Sequence, residues 1–189
     1  MKTDILIIGG GVIGAAIARE LSRYEAKTLL IEAREDLARG ASGANSGIVH
    51  AGYDPEPGTL MAKYNVAGCG MYEELSQELN FPYKKCGSFV LAFSKEEMAH
   101  VQALYERGLT NGVPDMEIIS GDRAREMDPA LSDQVEGALF AKSAGIVSPY
   151  EATIAFAENA AVNGVSFRLA EKVTAIEKRE SGFLVTTDK

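Results

Sequence analysis

The sequence predicts an α/β protein, and three observations at its start carry that expectation. Ile5-Leu6-Ile7-Ile8 is a continuous apolar run of the kind that fills a strand buried on both faces. Gly9, Gly11 and Gly14 follow it at once in G-x-G-x-x-G spacing. A second apolar run over 27–31 then ends on Glu32. Strand, glycine turn, helix, strand and a terminal acid make one supersecondary unit.

Each element has its own reason. The strand is expected over Asp4–Ile8 and the helix over Val12–Tyr24, with Gly9 allowing the tight turn. Gly11 leaves room for close backbone approach, and Gly14 together with Ala18 lets helix and strand pack closely. Residues 33–58 are rich in small and turn-forming types without a sustained period, so they read as a long functional connection. Leu60, Tyr64, Ala67, Met71, Leu75 and Leu79 recur at helical spacing and predict one apolar face of a helix over Thr59–Leu79.

Tyr83–Phe93 has β character. Ser94 and Glu97 form a capping-box pattern for a helix whose Met98, Val101, Leu104 and Leu109 share a face, and Asn111-Gly112 closes it. Ile118-Ile119, a short polar helix over Gly121–Met127 and a strand over Val135–Phe140 complete a middle segment. Ser148-Pro149-Tyr150-Glu151 carries a cap, a proline at the first helical position and a glutamate three residues after the cap. That helix runs to about Asn163 and stops at Gly164. A strand over Val165–Leu169 and a hairpin of Val173–Ile176 with Phe183–Val185 end the sequence, and this β-rich ending reads as an incomplete, truncated fold.

Composition narrows the function. A net charge of −8 over 189 residues argues against nucleic acid as a partner. No apolar stretch has transmembrane length, and the start resembles no secretory signal, so the reading is cytoplasmic, with peripheral docking on the inner face of a membrane left open. Cys69 and Cys86 offer neither a disulfide framework nor a metal-ligand spacing and read as buried or half-buried thiols in a reducing compartment.

The glycine turn is the expected anion site, because a helix N-terminus presents free N–H groups and a positive dipole end to a pyrophosphate. Glu32 is placed to accept hydrogen bonds from adenosine ribose hydroxyls and would repel a 2′-phosphate. NADP is disfavoured, and NAD and FAD remain. A second small-residue loop, Gly40-Ala41-Ser42-Gly43-Ala44-Asn45-Ser46-Gly47, suits an extended ligand with a further phosphate and a ribityl chain, which favours FAD.

These motifs, with Ile48-Val49-His50-Ala51-Gly52, resemble the D-amino-acid oxidase-like superfamily of FAD-dependent oxidoreductases. The stretch from Asn45 through Tyr53 and Pro57-Gly58-Thr59-Leu60 to Lys63 is most similar to its anaerobic-type glycerol-3-phosphate dehydrogenases, with L-2-hydroxyglutarate dehydrogenases close behind. Cys86-Gly87-Ser88, Leu104-Tyr105-Glu106-Arg107-Gly108, Asn111-Gly112-Val113-Pro114 and Gly145-Ile146-Val147 extend the likeness.

The resemblance implies a Rossmann-like, glutathione-reductase-type FAD-binding domain in two segments, 1–80 and 146–189, the second incomplete, with an inserted α+β substrate-domain segment over 81–145. It implies FAD contacts from Gly9, Gly11, Gly14, Glu32, Ala33, Arg34, Ser42, Asn45, Ser46, Gly47 and Val173, and no metal. The implied chemistry is oxidation of a small anionic secondary alcohol by hydride transfer to the flavin, with a quinone or an electron-transfer protein as possible acceptor. His50 is the candidate base, since its ordinary pKa suits proton transfer near neutrality. Tyr53 and Lys63 are candidate contacts to an anionic substrate. A non-catalytic nucleotide-binding fragment is the alternative of another class, and an NAD-binding regulatory domain a third.

Overall fold

A computed structural model describes residues 1–189, which fall into two compact units. The first unit comprises Met1–Gly47, Ser76–Pro82 and Ser148–Lys189, and the second Ile48–Leu75 and Tyr83–Val147. These bounds differ from the division 1–80, 81–145 and 146–189 that the sequence suggests: residues 48–75 group with the second unit, where their short strand pairs with residues 145–146, residues 81–82 group with the first and residues 146–147 with the second.

In the first unit, β1 (Ile5–Ile8), β2 (Thr28–Ile31) and β9 (Ser166–Arg168) form a parallel sheet in the order β1-β2-β9. All four β2 residues are buried, as expected of a strand covered on both faces. Helix α1 (Val12–Leu21) and helix α5 (Pro149–Val162) share a core with the sheet in which Ile7, Ala18, Leu30, Ala160 and Val165 cluster. Ala18 and Ala160 are fully buried, so the two helices approach without large side chains between them. Full burial of Leu30 is worth about 2–3 kcal/mol.

Sequence and structure agree closely on this unit, with local differences. Helix α1 stops at Leu21, three residues short of the expected end. Ser148 sits at the cap position of α5 but its side chain makes no capping bond, so proline at the first position carries the helix start. The hairpin of β10 (Val173–Arg179) and β11 (Gly182–Thr187) is longer than its apolar residues alone indicated. Arg19 is a buried charge that hydropathy does not foresee. It is paired with Glu20 at 2.8 Å and with Glu78, in the last turn of helix α2 (Leu60–Leu79), at 2.6 Å.

The second unit holds most of α2 and two antiparallel sheets. One consists of β3 (Ile48–Val49), β8 (Gly145–Val147) and β4 (Tyr83–Lys84), in that order. The other is β5 (Ser88–Ala92), β7 (Gly137–Ala141) and β6 (Met116–Ser120), with β7 central and every residue of β7 buried. Helix α3 (Lys95–Asn111) covers one face through Val101 and Leu104, and helix α4 (Gly121–Met127) covers the other through Ala124. Ser94 caps α3 as its spacing requires, its Oγ accepting from Glu97 N at 3.2 Å. The glutamate returns a bond to the N–H of Phe93, one residue before the cap.

Two expected faces are displaced. On α2 the buried residues are Ala62 and Cys69, whereas Leu60, Tyr64 and Met71 are 70%, 62% and 53% exposed. On α3, Gly108 is buried where Leu109 was expected. Cys86 is exposed rather than half-buried, and both cysteines are free. No helix is long and apolar enough to cross a membrane.

Candidate dinucleotide site

The site in the first unit is assembled from four stretches of chain. Gly9 turns the chain out of β1 at φ +106°, a conformation that suits glycine. Gly14 lies where an added Cβ would stand 2.0 Å from the carbonyl oxygen of Gly9, so only glycine lets α1 start this close to β1. Gly11 is the N-cap of α1, in extended conformation and with no side chain to bond its own helix. The first-turn N–H groups of α1 thus get no capping bond from Gly11 itself, and the positive end of the helix dipole lies behind them.

Ser42 supplies what Gly11 lacks. Its Oγ accepts from Val12 N at 2.9 Å, and it is held there by a turn of 3-10 helix over Ala41–Gly43. A Cβ on Gly11 would be 3.1 Å from the same Oγ. Hydroxyl, glycine backbone and helix start thus converge on one small region. Asn45 is bonded within its own loop: its amide donates to the carbonyls of Ala41 and Ser42 at 2.9 and 3.1 Å, and its Oδ1 accepts from Gly47 N at 2.8 Å. It shapes the loop with all of these groups. Ser46 is exposed, and Gly47 takes φ +68°.

Glu32 leaves β2 with both carboxylate oxygens oriented by backbone. Oε2 accepts from Gly10 N at 2.6 Å and Oε1 from Arg34 N at 2.8 Å. Each oxygen keeps a further lone pair for a hydroxyl donor. Ala33 and Arg34 are exposed beside it. The backbone of this turn is tied to the start of the hairpin, Ala170 N donating to Arg34 O at 2.7 Å and Glu171 N to Glu32 O at 3.0 Å. Val173 begins β10 two residues later.

Two residues at the site, Ala38 and Leu37, escaped sequence reading. Ala38, at φ +56°, donates its N–H to the carbonyl of Gly10 at 3.0 Å. A Cβ on Gly43 would meet that residue's oxygen at 2.2 Å, and Leu37 packs where a Cβ on Gly10 would stand. The only signal was Leu37 alone among charged neighbours. An open groove of about 490 Å³ runs along β1, the glycine turn and α1 up to Ser42.

A dinucleotide fits this arrangement. A cradle that a Cβ at Gly14 would close, first-turn N–H groups at a helix start and an acid at the end of β2 are the donor and acceptor set that a pyrophosphate and a ribose require.

His50 lies in the second unit, directly after β3, with its side chain exposed. Tyr53 is buried in the core under α3 and hydrogen-bonded with Ser88, and burial pushes its phenol above the ordinary range. It is a packing anchor. Lys63 is exposed, with Nζ 5.4 Å from the centre of the Tyr64 ring.

The chain matches the FAD dependent oxidoreductase family (DAO) over residues 4–189. It is 50% identical over 98% of its length to a glycerol 3-phosphate dehydrogenase of Caloramator mitchellensis, covering 39% of that protein. To the mitochondrial L-2-hydroxyglutarate dehydrogenase of Homo sapiens it is 35% identical over 92% of its length and 38% of the relative. The FAD-bound L-alpha-glycerophosphate oxidase of Mycoplasma pneumoniae superposes with a TM-score of 0.92 at 34% identity, over the whole of this chain and 50% of that structure. The chain therefore spans about half the length, or less, of these relatives.

Proposed function

This chain belongs to the DAO family of FAD-dependent oxidoreductases, and from that premise we propose that it grips FAD for the oxidation of glycerol 3-phosphate to dihydroxyacetone phosphate. The observation that carries the substrate is the 50% identity, over nearly the whole chain, to a glycerol 3-phosphate dehydrogenase. FAD, when bound, supplies the acceptor for the hydride that leaves the secondary carbinol carbon.

The chain's own residues do the rest. First-turn N–H groups at the start of α1, with the Ser42 hydroxyl, hold the pyrophosphate, and Glu32 holds the adenosine ribose. Ala33, Arg34 and the backbone at Val173 border the adenine, while Ser46 and Gly47 extend toward the flavin side. His50 accepts the hydroxyl proton as the carbinol carbon loses hydride, so the alcohol parts with two electrons and two protons in all, one proton to His50 and the remainder as hydride. The unit of residues 1–47, 76–82 and 148–189 is assigned the FAD-binding part, and the other unit the contacts to substrate.

A second reading has its own support. The 35% identity to the human L-2-hydroxyglutarate dehydrogenase covers 92% of the chain, and a carboxylate and a phosphate ask for similar cationic partners. Offering both substrates to the FAD-loaded enzyme separates them: bleaching of the flavin by glycerol 3-phosphate and not by L-2-hydroxyglutarate is expected, and the reverse pattern overturns the first reading. A protein that stays colourless and takes up no added FAD removes the flavoenzyme reading altogether.

A further inference from the structure

Two sequence pairs at the end of α3, Arg107-Gly108 and Asn111-Gly112, have no part in the dinucleotide site. Their bonds run to the stretch that follows His50. Asn111 donates through Nδ2 to two backbone carbonyls, Gly52 O at 3.0 Å and Pro55 O at 2.8 Å. Arg107 donates to the carbonyl between them, Asp54 O at 3.0 Å, and stands 3.7 Å from the Glu56 carboxylate. Three carbonyls within four residues are held by two side chains of one helix.

The packing beneath is equally specific. A Cβ on Gly108 would lie 3.0 Å from Tyr53 Cβ and 2.5 Å from Met116 Cε, so the absence of a side chain lets this stretch lie against α3. Tyr53 is itself fixed by burial and by Ser88. Gly52 takes φ +108°, and a Cβ there would meet Val66 at 2.6 Å. Gly112, in the left-handed region, ends the helix where Asn111 makes its bonds. On the other side of His50, Ile48 and Val49 pair with Ile146 and Gly145. An exposed imidazole is thus mounted between a paired strand and a pinned turn.

We propose that Arg107, Gly108 and Asn111 form a clamp that fixes the backbone carrying His50, so that its imidazole is presented in one place for proton transfer. The clamp rests on the assignment of His50 as proton acceptor. Arg107 and Asn111 are positioning residues that act through the 52–56 turn. Their value lies in geometry, because a misplacement of about 1 Å can cost about a hundredfold in rate.

The chain contains only two histidines, His50 and His100. The ring resonances of the 189-residue chain therefore report His50 directly, with the exposed His100 as internal reference. Asn111→Ala is expected to shift or broaden the His50 signal and leave that of His100 in place. Arg107→Ala leaves Asn111 untouched and is expected to displace the same signal at a smaller cost in stability, and Arg107→Lys, which keeps a donor for Asp54 O, to restore it. Arg125→Ala is the control: it removes bonds to the carbonyls of Ser132, Asp133 and Val135 in the same unit and is expected to lower Tm without moving His50.

In the FAD-loaded enzyme, Asn111→Ala is expected to slow flavin reduction by about tenfold or more, with KM changed by less than about threefold. A His50 signal unmoved in both Asn111→Ala and Arg107→Ala, beside a lowered Tm, overturns the clamp and leaves these residues a structural role. If His50→Asn reduces flavin at the unaltered rate, the proton-acceptor assignment fails. A displaced His50 signal in Asn111→Ala still upholds the clamp in that case.

Discussion

Gly14→Ala tests how closely α1 must approach β1 to make the dinucleotide site. The new Cβ would stand 2.0 Å from Gly9 O, whereas ordinary carbon–oxygen contact needs about 3.3 Å. Helix start and strand end must therefore separate by roughly 1.3 Å, and no side-chain rotation relieves a contact with backbone. Overpacking of this kind costs up to about 3 kcal/mol, of which alanine's better helix propensity returns about 1 kcal/mol. A net loss of about 2 kcal/mol lowers Tm by about 4–8 °C in a chain of this size. Gly11→Ala is the partner measurement. Its added Cβ meets only Ser42 Oγ, at 3.1 Å, and its backbone at φ −78° and ψ 177° suits alanine, so Tm is expected to change little. Its effect belongs to the ligand: quenching of FAD fluorescence on titration should show affinity weakened by about tenfold, or about 1.4 kcal/mol. An unchanged Tm in Gly14→Ala, or undiminished FAD affinity in Gly11→Ala, would refute the cradle as described.

Three further outcomes are expected. Glu32→Gln keeps the side-chain shape but sets an amide N–H against Gly10 N or Arg34 N, which should cost about 1–3 kcal/mol in urea unfolding and weaken FAD binding. Ser42→Ala uncaps Val12 N and should lower stability by about 1 kcal/mol, measured without ligand. Burial pushes up both the Tyr53 phenol and the Cys69 thiol, whose ordinary values are 10.0 and 9.0. A group held protonated by the fold contributes its full stability below the ordinary value and loses it as pH climbs through the raised one. Melting temperature should therefore fall above about pH 9, and Cys69→Ala should remove the first part of that decline.

The opening unit was legible because its signals are local. Apolar runs of strand length, glycines at fixed offsets and an acid at the strand end each act within a few residues, and β1, α1 and β2 follow from them. Ser42 was legible as a candidate for the same reason, though its bond to Val12 is a product of the folded loop. The face of α2 was not legible. Large apolar residues lie around much of its circumference, and the side that packs is chosen by small residues, Ala62 and Cys69, that admit a neighbour closely. Gly108 displaced Leu109 from the core of α3 on the same principle, since an absent side chain has no hydropathy to read. Strands of two or three residues, such as β3, β4 and β8, show no period at all. The bonds of Asn45 to its own loop were not legible either, since they depend on the folded path of residues 41–47.

The tie between residues 32–34 and residues 170–171 has a kinetic consequence. A site that needs its first and last segments together exists only once the intervening chain has folded and closed a very long loop, a late and entropically costly event. Dinucleotide present from the start of refolding therefore finds nothing to bind until the barrier is past. It should leave the folding rate unaltered and slow unfolding instead, acting as a lock on the finished molecule rather than a template for it.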